Sequence, residues 1–500
     1  MEVNNIDIIV IFIFFLAMII IGIYAYFKNQ SSEDFFIAGG DLPWWLSGIS
    51  HHVSGYSGAV FVAYAALAYT HGFSLYVWWA FTIGVAIIAT AKIFPVYWVR
   101  LRKKFQIQSP LEYLAIRYNV LTQQIIAWVG VTLKLFDVGA KWAAIAILLN
   151  VTTGIPFEYG ILISGGISLI YITIGGLWAV IFTDLAQFLV QLIAGITMFV
   201  VVVTRFGGWS SITGIWDQLP SENSQLFNDP YTISFAVVFL FINFLSYNGG
   251  SWPLATRYIS SNTEKAASKA AYLSGILYLI WPLILFFPMW AAPLILPDME
   301  DPSQSYGVLI EELLPHGLIG LVIASLFANT MSMTSSDINT ISAVITRDIL
   351  PVVSDKFKNK RTSLLTARIT TFVFTFLTIV IAFQYEYFGG VLGLIVTWFG
   401  ALIGPIAVPL LFGLIPFFRN CGPVAAISSV AAGLVTFSIT KILTMDGITE
   451  ILAVESMALE IGLPVIISMI VYSFVGWMRR KPVTKEVKDL EAAIAVKSDG

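Results

Sequence analysis

Long apolar segments separated by short polar connectors dominate the hydrophobic pattern of this chain. A membrane-spanning helix needs about 20 consecutive apolar residues, and thirteen segments meet this requirement. Their predicted bounds are 7–27, 44–73, 75–101, 121–150, 157–178, 182–206, 231–252, 269–296, 314–346, 364–384, 389–417, 421–442 and 456–478. No Lys or Arg precedes the first segment, which distinguishes it from a secretory signal peptide. The pattern predicts an all-α integral membrane protein of about thirteen transmembrane helices.

The positive charges of the connectors predict the orientation, because cytoplasmic loops are enriched in Lys and Arg. With the N-terminus outside, the cytoplasmic side receives Arg102, Lys103, Lys104, Arg117, Arg257, Lys265, Lys269, Arg347, Lys356, Lys358, Lys360, Arg361, Arg479, Arg480 and Lys481. The outer connectors then receive mainly acids. We therefore expect a multi-pass protein of the cell membrane with its C-terminus inside. The charged tail after Lys481 is expected to be frayed or loosely helical.

Composition agrees with a membrane location and excludes several classes of function. Hydrophobic residues make up 58% of the chain and charged residues only 11%, against roughly a quarter charged in soluble proteins. One cysteine, Cys421, and four histidines that are not spaced for zinc give no metal cluster. Without a nucleophile motif or a basic patch, we expect neither an enzyme, an organic cofactor nor a nucleic-acid partner.

Two of the predicted spans are interrupted by residues that weaken a helix. The second contains SHHVSGYSG (50–58), and the seventh contains YNGGSWP (247–253). Glycine and proline at membrane depth leave backbone groups that only protein or a water-filled cavity can satisfy. Each feature alone is explained by close helix packing. Two at matching positions indicate an inverted-repeat transporter of five plus five helices, with solute and ions bound at the breaks.

This reading divides the chain into six parts. They are an N-terminal helix and connector (1–43), a first repeat (44–206), an extracellular connector (207–230), a second repeat (231–417), two C-terminal helices (418–480) and a cytoplasmic tail (481–500). We expect the transporter to function as a monomer in the lipid bilayer.

The ninth span carries a stripe of polar side chains in the segment ASLFANTMSMTSSDINTISAVITRDI (324–349). Ser332, Ser335, Ser336 and Asn339 recur at i, i+3, i+4 and i+7, so they share one face of a helix. Hydroxyl oxygens are suitable ligands for a hard monovalent cation. A hydroxyl-lined seam between packed helices is an equally good explanation of the spacing alone.

Together with EDFFIAGGDLPWW (33–45), SPLEYLAIRY (109–118) and GGLWAVIFTDLAQ (175–187), this stripe resembles the sodium:solute symporter family. The resemblance extends from the first span to about residue 417. It implies a thirteen-span, leucine-transporter-type fold and inward solute transport driven by a sodium gradient, with Na⁺ as the coupling ion.

The resemblance also implies two sodium sites. The usual one would use Val53 and Tyr56 carbonyls, Asn329, Ser332 and the residue at position 333, but Met333 offers no hydroxyl. A second site found in some members would use Asp184, Ser332, Ser335 and Ser336, all of which are present.

Asp337 is a further departure from the family pattern, because relatives usually carry Ser or Gln there. A carboxylate inside a membrane span is a candidate functional group. It would either supply the oxygen that Met333 lacks or carry a proton, which makes H⁺ a second candidate coupling ion. The structural alternative is a salt bridge with Arg347 or Lys92.

Several residues match the family's solute contacts. They are Gly55, Ser57, Trp79, Asp137, Tyr247 and Asn248. His51 and His52, which lie in the first break, are further candidates as hydrogen-bond partners of the solute. Asp137 lies where sialate-transporting relatives place an arginine, which argues against an anionic solute, although Asp137 could instead pair with Lys134 and Lys141. Flat rings suit stacking on a sugar, and His52 is the histidine we expect to face the cavity.

We therefore expect a sodium-coupled symporter for a small uncharged polar solute, a sugar or related polyhydroxylated compound. The alternative is an amino acid or quaternary amine with Asp137 as counter-ion. An ion channel is a competing class, but a channel would not need paired helix breaks.

Overall fold

The computed structural model describes residues 4–55, 59–360, 363–384, 403–445 and 456–495, and these residues form helices and connectors. The α-helices are α1 Asn5–Tyr26, α2 Ser32–Ile37, α3 Trp44–Val53, α4 Ala59–His71, α5 Thr82–Thr90, α6 Phe94–Phe105, α7 Glu112–Arg117, α8 Val120–Thr153, α9 Phe157–Arg205, α10 Ser211–Gly214, α11 Ile233–Leu245, α12 Trp252–Ile259, α13 Glu264–Ile295, α14 Ser305–Leu313, α15 Leu318–Val344, α16 Leu350–Val353, α17 Leu364–Ala382, α18 Gly404–Phe412, α19 Pro423–Met445, α20 Ser456–Met478 and α21 Lys485–Ala495. The prediction of an all-α protein is confirmed.

Within the described ranges, eight helices are long and apolar enough to cross a membrane. A ninth is formed if residues 76–90 and 94–105, which meet at a bend of 53°, count as one span. Part of the predicted span 389–417 and of the connector after α19 lies outside the described residues. Thirteen spans and the outside position of the N-terminus therefore stay predictions.

Two predicted spans, 157–178 and 182–206, are joined in α9, which runs for 49 residues. The chain changes direction inside α9 at Gly176, whose φ of 51° and ψ of −146° are not helical. A Cβ at this position would lie 2.5 Å from the carbonyl oxygen of Phe35, so the conformation and the close approach both require glycine. This turn directs the second half of α9, with Asp184, into the protein interior.

Both predicted interruptions coincide with helix ends. The first broken helix ends at Val53 and resumes as α4 at Ala59, with residues 56–58 outside the described ranges. The second ends in a π-turn at 246–250, where Gly249 has a φ of 126°, and α12 begins at Trp252 with a proline in its first turn. Proline lacks an N–H that the first turn of a helix does not need, so this sequence ends one helix and starts another.

Residues 485–495 of the predicted tail form α21, so the expectation of a helix is met there, whereas the expectation of a frayed tail is wrong for these residues. Val487, Leu490 and Ile494 are buried on one face of α21, which packs against α6 and α7. The guanidinium of Arg100 donates a hydrogen bond to the carbonyl of Ile494 near the C-terminus of α21. The spacing of three, then four, residues is that of one helical face, so the apolar stripe holds the tail to the bundle.

Candidate ion and solute site

A buried carboxylate, Asp184 of α9, is the centre of a hydroxyl-rich cluster. Ser332 of α15 donates a hydrogen bond to Asp184 Oδ1 over 2.6 Å, and Ser50 of α3 donates to Oδ2. Ser54 and Ser336 lie 2.9 Å apart, Oγ to Oγ, beside this pair. Ser332 and Ser336 of α15, and likewise Ser50 of α3 and its C-cap residue Ser54, are four residues apart, which places both hydroxyls of each pair on one face.

The guanidinium of Arg257 lies inside this cluster. Its Nη2 atom is 3.2 Å from Asp184 Oδ2 and 3.1 Å from Ser54 Oγ, and it also donates to Ser336. Nε donates to Ser50 over 2.9 Å. The arginine and Asp184 side chains are both 0% exposed. The assignment of Arg257 to a cytoplasmic connector is therefore wrong: it belongs to α12 and is paired in the interior.

The other predicted ion ligands are arranged differently from the Asp184 cluster. Ser335 is buried, and its hydroxyl donates to the carbonyl of Ser332 over 3.1 Å. Asn329 donates through its side-chain amide to the carbonyl of Ser325 over 2.9 Å. Val53 is fully buried at the end of α3, and Tyr56 lies outside the described residues.

Four charged side chains form a closed ring between α8 and α15, which we call the charge quartet: Lys134, Asp137, Lys141 and Asp337. Both ammonium groups contact Asp137 Oδ2, at 2.9 and 2.7 Å, and each also contacts one oxygen of Asp337 at 2.7 Å. The side chains are at most 8% exposed. The structural alternative of a salt bridge from Asp337 to Arg347 or Lys92 is wrong, because its partners are the two lysines.

The quartet has two positive and two negative charges. Spacings of three and four residues along α8 place its three members on one helical face. The signs alternate around the ring, so each charge contacts two charges of the opposite sign. Their attraction compensates for the free energy that each group loses when it is removed from water. Asp137 and Asp337 are thus held by lysines, and Arg347 instead binds Glu112 at 2.8 Å.

Aromatic rings surround the end of the first broken helix. Tyr278 of α13 donates to the carbonyl of His52 over 3.0 Å and lies 3.4 Å, Oη to Oη, from Tyr247. A Cβ at Gly55 would lie only 2.0 Å from the Tyr278 hydroxyl oxygen. Trp79 packs edge-on to Tyr278, with ring centroids 6.1 Å apart. Position 55 must therefore be glycine, because any side chain there would prevent the two tyrosine hydroxyls from reaching the end of the helix.

The two adjacent histidines have different surroundings. The Nδ1 atom of His51 lies 2.8 Å from the hydroxyl of Ser274, and its ring is 4.8 Å from that of Tyr258. His52 instead packs edge-on against Tyr278 at 4.6 Å. His51 also lies near Tyr247, with ring centroids 6.2 Å apart, so His52 adjoins the cluster at Tyr278 and His51 adjoins it at Tyr247.

Asn248, another proposed solute contact, forms bonds within the protein. Its side-chain oxygen accepts from Thr90 over 2.6 Å, and its amide donates to the carbonyl of Phe244 over 2.8 Å. The backbone carbonyl of Asn248 accepts from the indole of Trp98 over 2.9 Å. These contacts fix the π-turn after α11. Ser57 lies outside the described residues.

Sequence reasoning missed Arg257, Ser50, Ser54 and Tyr278. Arg257 follows an apolar stretch and precedes a lysine-containing connector, so a rule based on loop charge placed it there. The available signal was Asp184, since a carboxylate in a membrane span requires a partner, and no other arginine or lysine lay near a predicted break.

Comparison with known proteins gives a family match and a fold match. The model of the sodium:solute symporter family matches residues 35–433. The sodium/sialic acid symporter NanT of Aliivibrio fischeri is 28% identical over 371 residues, which cover 70% of this chain and 71% of that protein. The sodium/glucose cotransporter of Vibrio parahaemolyticus is 26% identical over 354 residues, which cover 64% and 63%.

Among solved structures, a Na⁺-coupled sialic acid symporter in a substrate-bound outward-open state superposes with a TM-score of 0.80 at 20% identity, over 97% of this chain and 100% of that one. Mhp1, a nucleobase-cation-symport-1 family transporter, gives a TM-score of 0.57 at 13% identity, over 93% and 99%. At these identities the likeness concerns the fold.

Proposed function

Because this chain belongs to the sodium:solute symporter family, we propose that it uses a sodium gradient to import a small uncharged polyhydroxylated solute, such as a sugar. Membership establishes sodium-coupled symport of a solute in the membrane. The solute class, the residues that bind it and the five-plus-five repeats are our proposals.

The observation that carries the proposed solute class is the aromatic cluster at the two helix breaks. Trp79, Tyr247 and Tyr278 provide flat faces together with two phenol hydroxyls, and His52 adjoins them. Ligand sites generally combine apolar or aromatic walls with a few placed polar groups. Rings that stack on the apolar face of a pyranose and hydroxyls that bond its rim suit a sugar.

Charge supports the choice of a neutral solute. Asp137 is the charged residue among the proposed solute contacts, and two lysines hold its carboxylate. The charge quartet has no net charge, so it offers neither a surplus cation to an anionic solute nor a surplus anion to an ammonium. The resemblance to a sodium/glucose cotransporter agrees with a sugar, whereas the sialic acid relatives act on an anion.

The second candidate is a solute that bears an amino group, such as an amino acid or a quaternary amine. Its support is the same set of rings, because aromatic faces attract ammonium groups through cation–π contacts. The pairing of Asp137 with lysines weakens this candidate, since Asp137 was to be its counter-ion.

For the coupling ion we propose the Asp184 cluster as the main sodium site. Its carboxylate and the hydroxyls of Ser332 and Ser336 are hard oxygen ligands that converge from two helices. The usual family site, with Val53, Tyr56 and Asn329, lacks a hydroxyl at Met333. We further propose that the protein acts as a monomer.

Radiolabelled uptake into proteoliposomes, across a panel of sugars, polyols, amino acids and betaines, tests the solute class. We expect uptake of a sugar or polyol that depends on an inward sodium gradient. Trp79→Ala should abolish it, whereas Trp209→Ala, at a ring that is 74% exposed on a connector, should leave it unchanged. Uptake confined to amino acids or betaines would replace the sugar with the second candidate.

A further inference from the structure

Arg257 brings a permanent positive charge into the cluster that we propose as the sodium site. Its guanidinium is fully buried and contacts side chains from α3, α9 and α15. Arginine stays protonated in proteins, so this charge does not depend on pH. The site thus contains one fixed cation before any ion arrives.

The guanidinium and a sodium ion require the same oxygens. Asp184 Oδ2 accepts from Arg257 Nη2 at 3.2 Å and from Ser50, and Oδ1 accepts from Ser332 at 2.6 Å. Ser336 accepts from the guanidinium as well. With one carboxylate and one guanidinium the cluster is neutral. A second cation at Asp184 would meet the like charge of Arg257 in a dry interior, where screening is weak.

We propose that Arg257 is the resident cation of this cluster and that sodium binds at Asp184 in exchange for it. This inference rests on the proposed function, and it assigns to Arg257 a positioning role. The guanidinium leaves the Asp184 carboxylate and the Ser336 hydroxyl when the ion takes those ligands, and it keeps its charge throughout. It moves toward the hydroxyls of Ser50 and Ser54 at the C-terminal end of α3, which already accept hydrogen bonds from it.

The location of Arg257 couples this exchange to the broken helices. Arg257 belongs to α12, the helix that follows the second break, whereas Ser50 belongs to α3 and Ser54 is the residue that caps its C-terminal end at the first break. Asp184 and Ser336 instead belong to α9 and α15. When sodium binds, Arg257 therefore loses its contacts with Asp184 and Ser336, which join the two groups of helices. It keeps its contacts with Ser50 and Ser54, which lie within the group of broken helices. This loosens the broken helices from α9 and α15.

The test is direct binding of ²²Na⁺ to the purified full-length protein in lipid nanodiscs, without solute. Arg257→Gln removes the charge and keeps hydrogen-bonding capacity. We expect sodium affinity to rise on the order of tenfold, because a repulsive unit charge is lost close to the ion. Ser336→Ala should lower the affinity, and Asp184→Asn combined with Arg257→Gln should abolish the gain.

Arg347→Gln is the matched control, because this arginine is also buried and ion-paired but lies in the turn that follows α15, where its partner is Glu112. We expect it to leave sodium affinity unchanged. A merely structural Arg257 would give weaker or unchanged binding in Arg257→Gln, and that result would overturn the exchange. Arg257→Lys is the second variant, for use if Arg257→Gln folds poorly. It keeps the positive charge and should bind sodium with the affinity of the wild type, so tighter sodium binding by Arg257→Lys would also contradict the proposal.

The two proposals fail in different ways. If wild type and Arg257→Gln bind sodium with equal affinity and wild type shows sodium-driven uptake, the exchange is wrong and the symport proposal stands. If Asp184→Asn leaves the sodium affinity of the wild type unchanged, sodium does not bind at Asp184 and the exchange is overturned, whereas sodium-driven uptake by the wild type would still uphold the proposed symport.

Discussion

Asp337→Asn is the most informative single change in the charge quartet. The substitution preserves the shape of the side chain but removes one of two negative charges. Lys134 and Lys141, each 2.7 Å from an Asp337 oxygen, would then share Asp137 alone. The quartet would pass from neutral to a net positive charge in the protein interior.

Burial determines the size of the effect. The four side chains are 1%, 5%, 8% and 2% exposed, so solvent screens them little. Removing one partner of a buried ion pair costs about 3–5 kcal/mol, because the remaining charge is left uncompensated. We expect a loss of this size for Asp337→Asn, together with loss of uptake. Asp337→Asn combined with Lys134→Met restores neutrality and should recover most of the lost stability and most of the lost uptake.

Thermal unfolding of the purified protein, followed by intrinsic fluorescence, and sodium-driven uptake are the two assays. Asp355→Asn is the control, because its pair with Lys358 has a similar length of 2.6 Å but is 65% and 88% exposed. Exposed pairs contribute little, so no measurable change is expected. If Asp337→Asn unfolds like wild type, or if the double variant is no better than the single one, the charge-balance argument fails. A stable Asp337→Asn that only loses pH dependence of uptake would instead make Asp337 a proton carrier.

Three other changes test separate parts of the account. Met333→Thr adds the missing hydroxyl ligand and should raise sodium affinity or stoichiometry, measured by reversal potential; no change in either would show that another oxygen already completes that site. Gly55→Ala places a Cβ 2.0 Å from the Tyr278 hydroxyl oxygen, so uptake should be lost at an overpacking cost of about 1–3 kcal/mol, and wild-type uptake would contradict the geometry. Leu490→Asp should release α21 by removing a buried side chain that contributes about 1.5–3 kcal/mol, detected as faster proteolysis of the tail; equal protection in Leu490→Asp and the exposed-site control Lys488→Ala would refute the docking.

The sequence alone predicted the features that depend on local chemistry. Glycines and a proline mark both helix breaks, since they remove side chains or N–H groups at fixed positions, and the i, i+4 spacing of Ser332 and Ser336 already placed them on one face. Asp184 was identified through the family resemblance. These features follow from short stretches of chain, which is why spacing and composition reveal them.

What the sequence could not predict are partners brought together by tertiary packing. Arg257 and Asp184 are 73 residues apart. The carboxylate indicates that a partner is needed, but the contact between α12 and α9 that supplies Arg257 arises only in the fold. For Asp337 the sequence suggested Arg347 or Lys92 as the alternative salt-bridge partner, whereas the fold pairs it with two lysines of α8. The docked tail has a weak apolar stripe of three residues, which a charged composition obscures.

Counterflow in proteoliposomes tests the central claim most directly. Vesicles are preloaded with unlabelled solute and diluted into labelled solute, with and without sodium on both sides. We predict labelled accumulation that requires sodium, and net uphill uptake when an inward sodium gradient is imposed. Two results would contradict a sodium-coupled symporter of a small neutral solute. One is labelled accumulation of equal size with and without sodium, and the other is net solute flux that never runs against the solute gradient when an inward sodium gradient is imposed.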